Sequence, residues 1–246
     1  MITALKAEFR KLLTVRSSYI LLLVALGLGG FINYWVFGYK AGQEAVVAGS
    51  GYLQNSLFNT FGGLSIFAGI AGILLMTHEY RYNTIYYALT AARSRTKLLL
   101  ARITVVVTYA IVFAVLLTGV SILMTMFGLH IGHHVLVAQH FQWGEIVWRS
   151  LAYIGGVALF GLLFAVLVRN QIGTIVLYVF MPGTIEPLIG LVLKSKIAYL
   201  PFTALGNIVT QKPDYLSHGK SALVALTWMV VGWIIAWVLF LKRDAN

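Results

Sequence analysis

The 246-residue sequence contains no cysteine and only seven acidic residues, and charged residues of both signs make up just 10% of it. Without cysteine there are no disulfides, no thiolate metal ligands and no cysteine nucleophile. The shortage of charge excludes more. A soluble domain carries roughly 25% charged residues, so this chain has too little polar surface to coat a globule of its length. Lipid must be the solvent for much of it, in keeping with a hydrophobic content of 60%. The marks of common enzymes are missing too. There is no His-Glu-x-x-His and no Gly-x-Ser-x-Gly, which removes the commonest metalloprotease and serine-hydrolase signatures. Gly219-Lys220-Ser221 has the form of the end of a phosphate-binding loop, but Asp214 stands where the first glycine of that loop belongs. The chain is not expected to bind ATP itself, and no cofactor is expected in it.

What is present is a net charge of +11. The basic residues are spread between apolar runs instead of forming one face, which argues against nucleic acid and for membrane topology. A helix needs about 20 apolar residues to cross the hydrocarbon core. Six runs qualify, at 19–36, 57–76, 103–127, 151–168, 172–192 and 222–241. The expected fold is an all-α polytopic membrane protein forming a single transmembrane domain over 1–246. The first run, behind Lys6, Arg10, Lys11 and Arg16, is read as an anchor and not as a cleaved leader.

With the N-terminus inside, 12 of the 18 Lys and Arg residues fall in internal segments and six in external ones. This favours a plasma-membrane protein with both termini cytoplasmic, although Lys194, Lys196, Lys212 and Lys220 narrow the margin. No segment has the look of a soluble domain, so any energy source is expected on another chain.

Three segments carry further information. In 4–16, Leu5, Phe9, Leu12 and Leu13 fall on one helical face and Lys6, Arg10 and Lys11 lie away from it. That pattern fits an amphipathic helix in the membrane interface, or a positive flank that only fixes topology. The second segment, 78–102, holds Glu79 and Arg81 at the membrane edge, a short helix-compatible stretch from Thr84, and a basic cluster at Arg93, Arg95 and Lys97. A short helix held outside the bilayer by two long spans can push on a cytoplasmic partner; the plain alternative is a solvated loop.

The third segment is Met181-Pro182-Gly183-Thr184-Ile185-Glu186-Pro187. Two prolines threaten the helix here, and Glu186 lies roughly 21 Å along a helix from Ile172. Glu186 is either an intramembrane carboxylate lining a translocation exit or part of an interfacial turn after a span that ends at Pro182. His130, His133, His134 and His140 invite a metal reading, but only Glu145 is near them, and scattered histidines in a solvated loop are the expectation.

Glu79-x-Arg81-x-x-Thr84 after span two, and Ser94-Arg95-x-x-Leu98-Leu99-x-Ala101-Arg102 opening span three, join the amphipathic N-terminus and the six-span architecture in a pattern covering nearly the whole chain. That pattern resembles the permease subunit of a type-2 ATP-binding-cassette (ABC) exporter. The resemblance implies that the loop between spans two and three couples to a nucleotide-binding ATPase subunit, through Glu79, Arg81, Thr84, Ser94 and Arg95. It also implies a second permease copy, identical or not, with ATP and Mg on the partner subunits. Short re-entrant helices between spans five and six, supplied by 191–210, are implied as well. The cargo is expected to be a small amphiphile, peptide or lipid-like molecule. The glycines of spans two and four (Gly62, Gly63, Gly69, Gly72, Gly155, Gly156, Gly161) are expected to allow close helix approach where the permeases meet. Two other readings stand beside this one: an intramembrane enzyme using Glu186 and the histidines, and a non-transporting sensor or immunity subunit.

Overall fold

The computed structural model describes residues 2–41, 49–82, 84–92, 94–134, 139–211 and 216–242. Asn83, Arg93, Lys212, Asp214 and Arg243 lie outside them. Among the described residues every regular element is helical. Six helical stretches are long and apolar enough to cross a membrane: Arg16–Tyr39, Gly49–Arg81, Arg95–Ile131, Trp143–Val168, Gln171–Tyr199 and His218–Lys242. Each contains one of the six apolar runs, and most overshoot it. The helix Arg95–Ile131 has 37 residues, about 55 Å against a hydrocarbon core of about 30 Å. The overshoot is polar at its start, with Arg95, Thr96 and Lys97, which hydropathy cannot assign to a span.

In chain order, α1 is Ile2–Thr14, and α2 is Arg16–Ile32, continued by a π-helical stretch Asn33–Tyr39. Span two is two helices, α3 (Tyr52–Leu64) and α4 (Ile66–Arg81), meeting at Ser65. The short α5 (Ile85–Ala92) precedes α6 (Arg95–Ile131), and α7 is Trp143–Val168. Span five begins with α8 (Gln171–Phe180), where the Asn170 side chain accepts a hydrogen bond from the Gly173 amide and caps the first turn.

The fifth span does not end at Pro182. A π-helical turn, Met181–Ile185, takes Pro182 into its first turn, and α9 (Glu186–Leu193) continues with Pro187 in its own first turn. The wider π-helical turn, in which the Glu186 amide bonds back to the Met181 carbonyl, absorbs the missing proline donor without ending the helix. After Lys194–Tyr199, the nine-residue α10 (Pro201–Val209) leads towards α11 (His218–Lys242).

The tightest packing joins α4 to α7. A Cβ on Gly72 would stand 2.5 Å from the Ala158 carbonyl oxygen, and one on Gly161 would run into the Gly69 carbonyl. The Tyr178 ring closes over Gly69 from α8. Gly69, Gly72 and Gly161 thus serve close approach inside one chain, and Gly156 faces Leu205. Gly62, Gly63 and Gly155 have nothing within 4 Å. Gly161→Val is therefore expected to destabilise the fold by about 1–3 kcal/mol through overpacking. A thermal melt in detergent checks this, with Gly155→Ala expected to melt as the parent does.

Further towards the far end, Gly38 and Gly128 bring the π-helical stretch after α2 against α6, a Cβ on Gly38 standing 2.6 Å from Gly128 Cα. Buried Asn33 donates to Thr60 at 2.9 Å and to Ser121 at 3.2 Å, and accepts from Thr125 at 3.1 Å. Interhelical polar contacts of this kind hold spans together where lipid removes the hydrophobic drive.

Candidate functional site

Glu79 is the last acidic residue of α4 and Arg102 lies two turns into α6. Both are buried, Arg102 completely. A guanidinium in that position needs a counter-charge, because isolated burial of a charge costs several kcal/mol. It receives two. The Arg102 guanidinium donates to Glu79 Oε2, and Arg102 Nε lies 3.6 Å from Glu8 Oε1. Lys11 completes the group, donating to Glu8 Oε1 at 2.8 Å and also to Glu79 Oε1. Two carboxylates and two cations thus close a neutral cluster joining α1, α4 and α6.

This arrangement revises the reading of α1. Ala4 and Glu8 are buried and Lys11 turns towards the cluster, so α1 docks on the bundle along a polar edge beside its leucine stripe. Leu5 and Leu12 pack against the core, Phe9 is half-buried, and Leu13 is 76% exposed. Lys11, read from the sequence as turned away towards lipid headgroups, points inward.

The segment after α4 is tied at both ends. Thr84 is exposed; its amide donates to the Glu79 carbonyl at 2.9 Å, and its own carbonyl accepts from Tyr87 at the start of α5. Ser94 precedes α6 in extended conformation. Arg95 reaches across to the last turn of α11, donating to the carbonyls of Phe240 at 3.2 Å and Leu241 at 3.1 Å, where the helix dipole favours a cation. Arg81 is exposed, its guanidinium 5.5 Å from the Tyr82 ring centroid. Of the five residues read as coupling contacts, Arg81 and Thr84 are on the surface, Ser94 and Arg95 are half-buried, and Glu79 is enclosed. Charge reversal at Glu79 would set a third cation against Lys11 and Arg102 and so damage the fold.

Between the ties, α5 presents Tyr86 and Tyr87 to the outside, the latter 77% exposed, with Tyr82 beside them. A cavity of about 560 Å³ runs beneath, lined by Glu8, Lys11, His78, Tyr82, Thr84 and Tyr87 among others. The tyrosines escaped the sequence reading, which followed charge. Aromatic rings beside a basic cluster are its available signal, since exposed large apolar side chains grouped together mark contact surfaces.

Glu186 is buried and fully engaged. Its Oε1 accepts from the Phe202 amide at 2.8 Å, and its Oε2 from the Thr203 amide at 2.6 Å and the Thr203 hydroxyl at 2.7 Å. It caps α10 from α9. At the other end of α10, buried Arg149 donates to the carbonyls of Ile208 at 2.6 Å and Thr210 at 2.8 Å, with Glu145 at 3.2 Å and the Phe58 ring 3.9 Å away. An anion at the N-terminus and a cation at the C-terminus both complement the helix dipole. Arg149, one of the six basic residues that the charge count assigns to external segments, is the counterpart of Glu186.

Among the described residues no three metal-ligating side chains come together, and the His134 ring is hydrogen-bonded to the Tyr39 carbonyl at 2.9 Å.

A family model described as "ABC-2 family transporter protein" matches residues 4–185, from α1 to the π-helical turn of the fifth span. No curated protein matches the chain.

Proposed function

The chain belongs to the ABC-2 transporter family and is a transporter permease subunit, and on that premise we propose that it exports a small amphiphilic, peptide or lipid-like cargo, driven by ATP hydrolysis on a separate subunit. The observation that carries this reading is the clasped segment: α5 with its exposed tyrosines, tied through Glu79 to α1 and α6 and through Arg95 to α11. ATP-driven closure of the partner subunits would press on α5. The ties would pass that movement to spans two, three and six together, because each tie joins a span end to its neighbour. The two-to-one excess of basic residues supports a cytoplasmic position for this end of the bundle.

The partner is a nucleotide-binding ATPase subunit seated on Tyr82, Thr84, Tyr86 and Tyr87, with Arg81 at its margin. A second permease copy has room along span five, of whose apolar window only 11% is buried within the chain. The intramembrane-enzyme reading loses its carboxylate, since both oxygens of Glu186 are held by α10. The sensor or immunity reading differs in having no coupled turnover.

The test is co-purification of the full-length chain with its ATPase subunit, with ATP turnover measured on the complex. Tyr87→Ala is expected to cut recovery of that subunit about tenfold, as the loss of an aromatic anchor does, while the permease itself melts normally. Unchanged recovery and turnover would remove α5 as the docking surface.

A further inference from the structure

The end of α4 also borders a basic concavity. A cavity of about 340 Å³ opens between the end of α4 and the turn joining α7 to α8, lined by Tyr80, Arg81, Arg169, Asn170, Gln171 and Ile172, with Ile175 one turn further on. Two of these residues are cations and none is a carboxylate. Glu79 of α4 is engaged by Lys11 and Arg102 and does not line this cavity. We propose that this cleft binds the phosphate headgroup of an anionic phospholipid, in the leaflet on the side of the bundle that carries α1.

The placement of each group supports that ligand. Arg169 ends α7 in the left-handed region, φ 57° and ψ 11°, a conformation that favours glycine or asparagine. That backbone sets its guanidinium 5.6 Å from the Tyr80 ring centroid, and exposed Arg81 lines the same cavity. Both arginines line the one cavity, and a guanidinium fork matches the oxygens of a phosphodiester. The start of α8 lines the same cavity, and its dipole adds positive potential.

Depth selects lipid over a soluble anion or an acidic protein surface. Gln171 is the first residue of the fifth span, so the cleft lies at headgroup level. Ile172, 76% exposed, and then Ile175 continue from it along α8. An acyl chain can lie on that track. A water-soluble partner would leave Ile172 uncovered. Basic pockets between spans at this level are a recognised site for anionic headgroups.

The test needs no ATPase partner, so its outcome is independent of the coupling reading. Full-length protein in a neutral detergent is titrated with dioctanoyl phosphatidylglycerol, dioctanoyl phosphatidylcholine and glycerol 3-phosphate, and bound ligand is read by native mass spectrometry. Phosphatidylglycerol is expected to bind at least tenfold more tightly than the other two. Arg81→Gln and Arg169→Gln should each weaken it about fivefold, and the pair about 25-fold. Arg81 is exposed, so Arg81→Gln gives a readable result even if the Arg169 variant fails to fold. Lys97→Gln, removing an exposed cation on α6, should leave binding unchanged. Equal binding of phosphatidylcholine, glycerol 3-phosphate as tight as the lipid, no loss in Arg81→Gln, or an equal loss in Lys97→Gln would each overturn the site.

Discussion

Arg102→Ala is expected to destabilise the protein by about 3–5 kcal/mol, the cost of leaving a buried ion pair with one partner gone. Glu8 and Glu79 would then share a buried pocket with Lys11 alone. Two carboxylates facing one cation repel, and neither can reach water, since Glu8 is 1% and Glu79 6% exposed. The expected observation is a large drop in melting temperature in detergent, or loss of the monodisperse species. Lys11→Ala should cost far less. It too leaves two carboxylates facing one cation, but the Lys11 side chain is 36% exposed, so water enters where it leaves and screens them, and a smaller loss is expected. This ordering is the informative part. If the two variants melt alike, the cluster is solvated and α1 is not clasped to spans two and three. Glu79→Gln should fall between them, because the amide oxygen still accepts from a cation while the charge balance is lost. Arg102→Met with Glu79→Leu removes both ions and should recover much of the loss, since an apolar pair can replace a buried ionic one.

What was legible in the sequence is what repeats locally. An apolar run of about 20 residues declares a span wherever it lies, so all six were found. The short helix between spans two and three was legible because charge brackets it. The cluster was not legible, because Glu79 meets Lys11 across 68 positions and Arg102 across 23. Nothing in the spacing of these residues distinguishes a pair from two solvated charges. The inward face of α1 was hidden for a similar reason. Its leucine stripe is the strong periodic signal, whereas the docking edge is Ala4, Glu8 and Lys11, which has no apolar signature. Pro182 left the end of the fifth span open because proline is a strong breaker in isolation; a π-helical turn accommodates it here. The roles of Glu186 and Arg149 depend on where α10 folds back, which one-dimensional pattern does not state.

Glu186→Ala is expected to release α10. The substitution leaves the Phe202 and Thr203 amides and the Thr203 hydroxyl without their acceptor. Each buried donor left unmade costs about 1–3 kcal/mol, so a loss of about 3 kcal/mol or more is the expected scale. Arg149→Ala should cost a similar amount. It removes two charge-assisted bonds to the end of α10, while the abandoned Glu145, 42% exposed, can turn to water. Arg149→Lys should rescue little, because an ammonium cannot span both carbonyls and stack on Phe58 as a planar fork does. Hydrogen exchange over 201–209 checks this directly. A local destabilisation of about 3 kcal/mol corresponds to exchange faster by about 100-fold, in that helix first and in the spans hardly at all. The same experiment decides what Glu186 is for. A carboxylate lining an exit would, when replaced by glutamine, change transport and leave α10 protected. A carboxylate that fastens the helix would loosen α10 in proportion to the lost acceptor strength, with transport falling only as far as α10 does. The three hydrogen bonds converging on Glu186 make the second outcome the expected one.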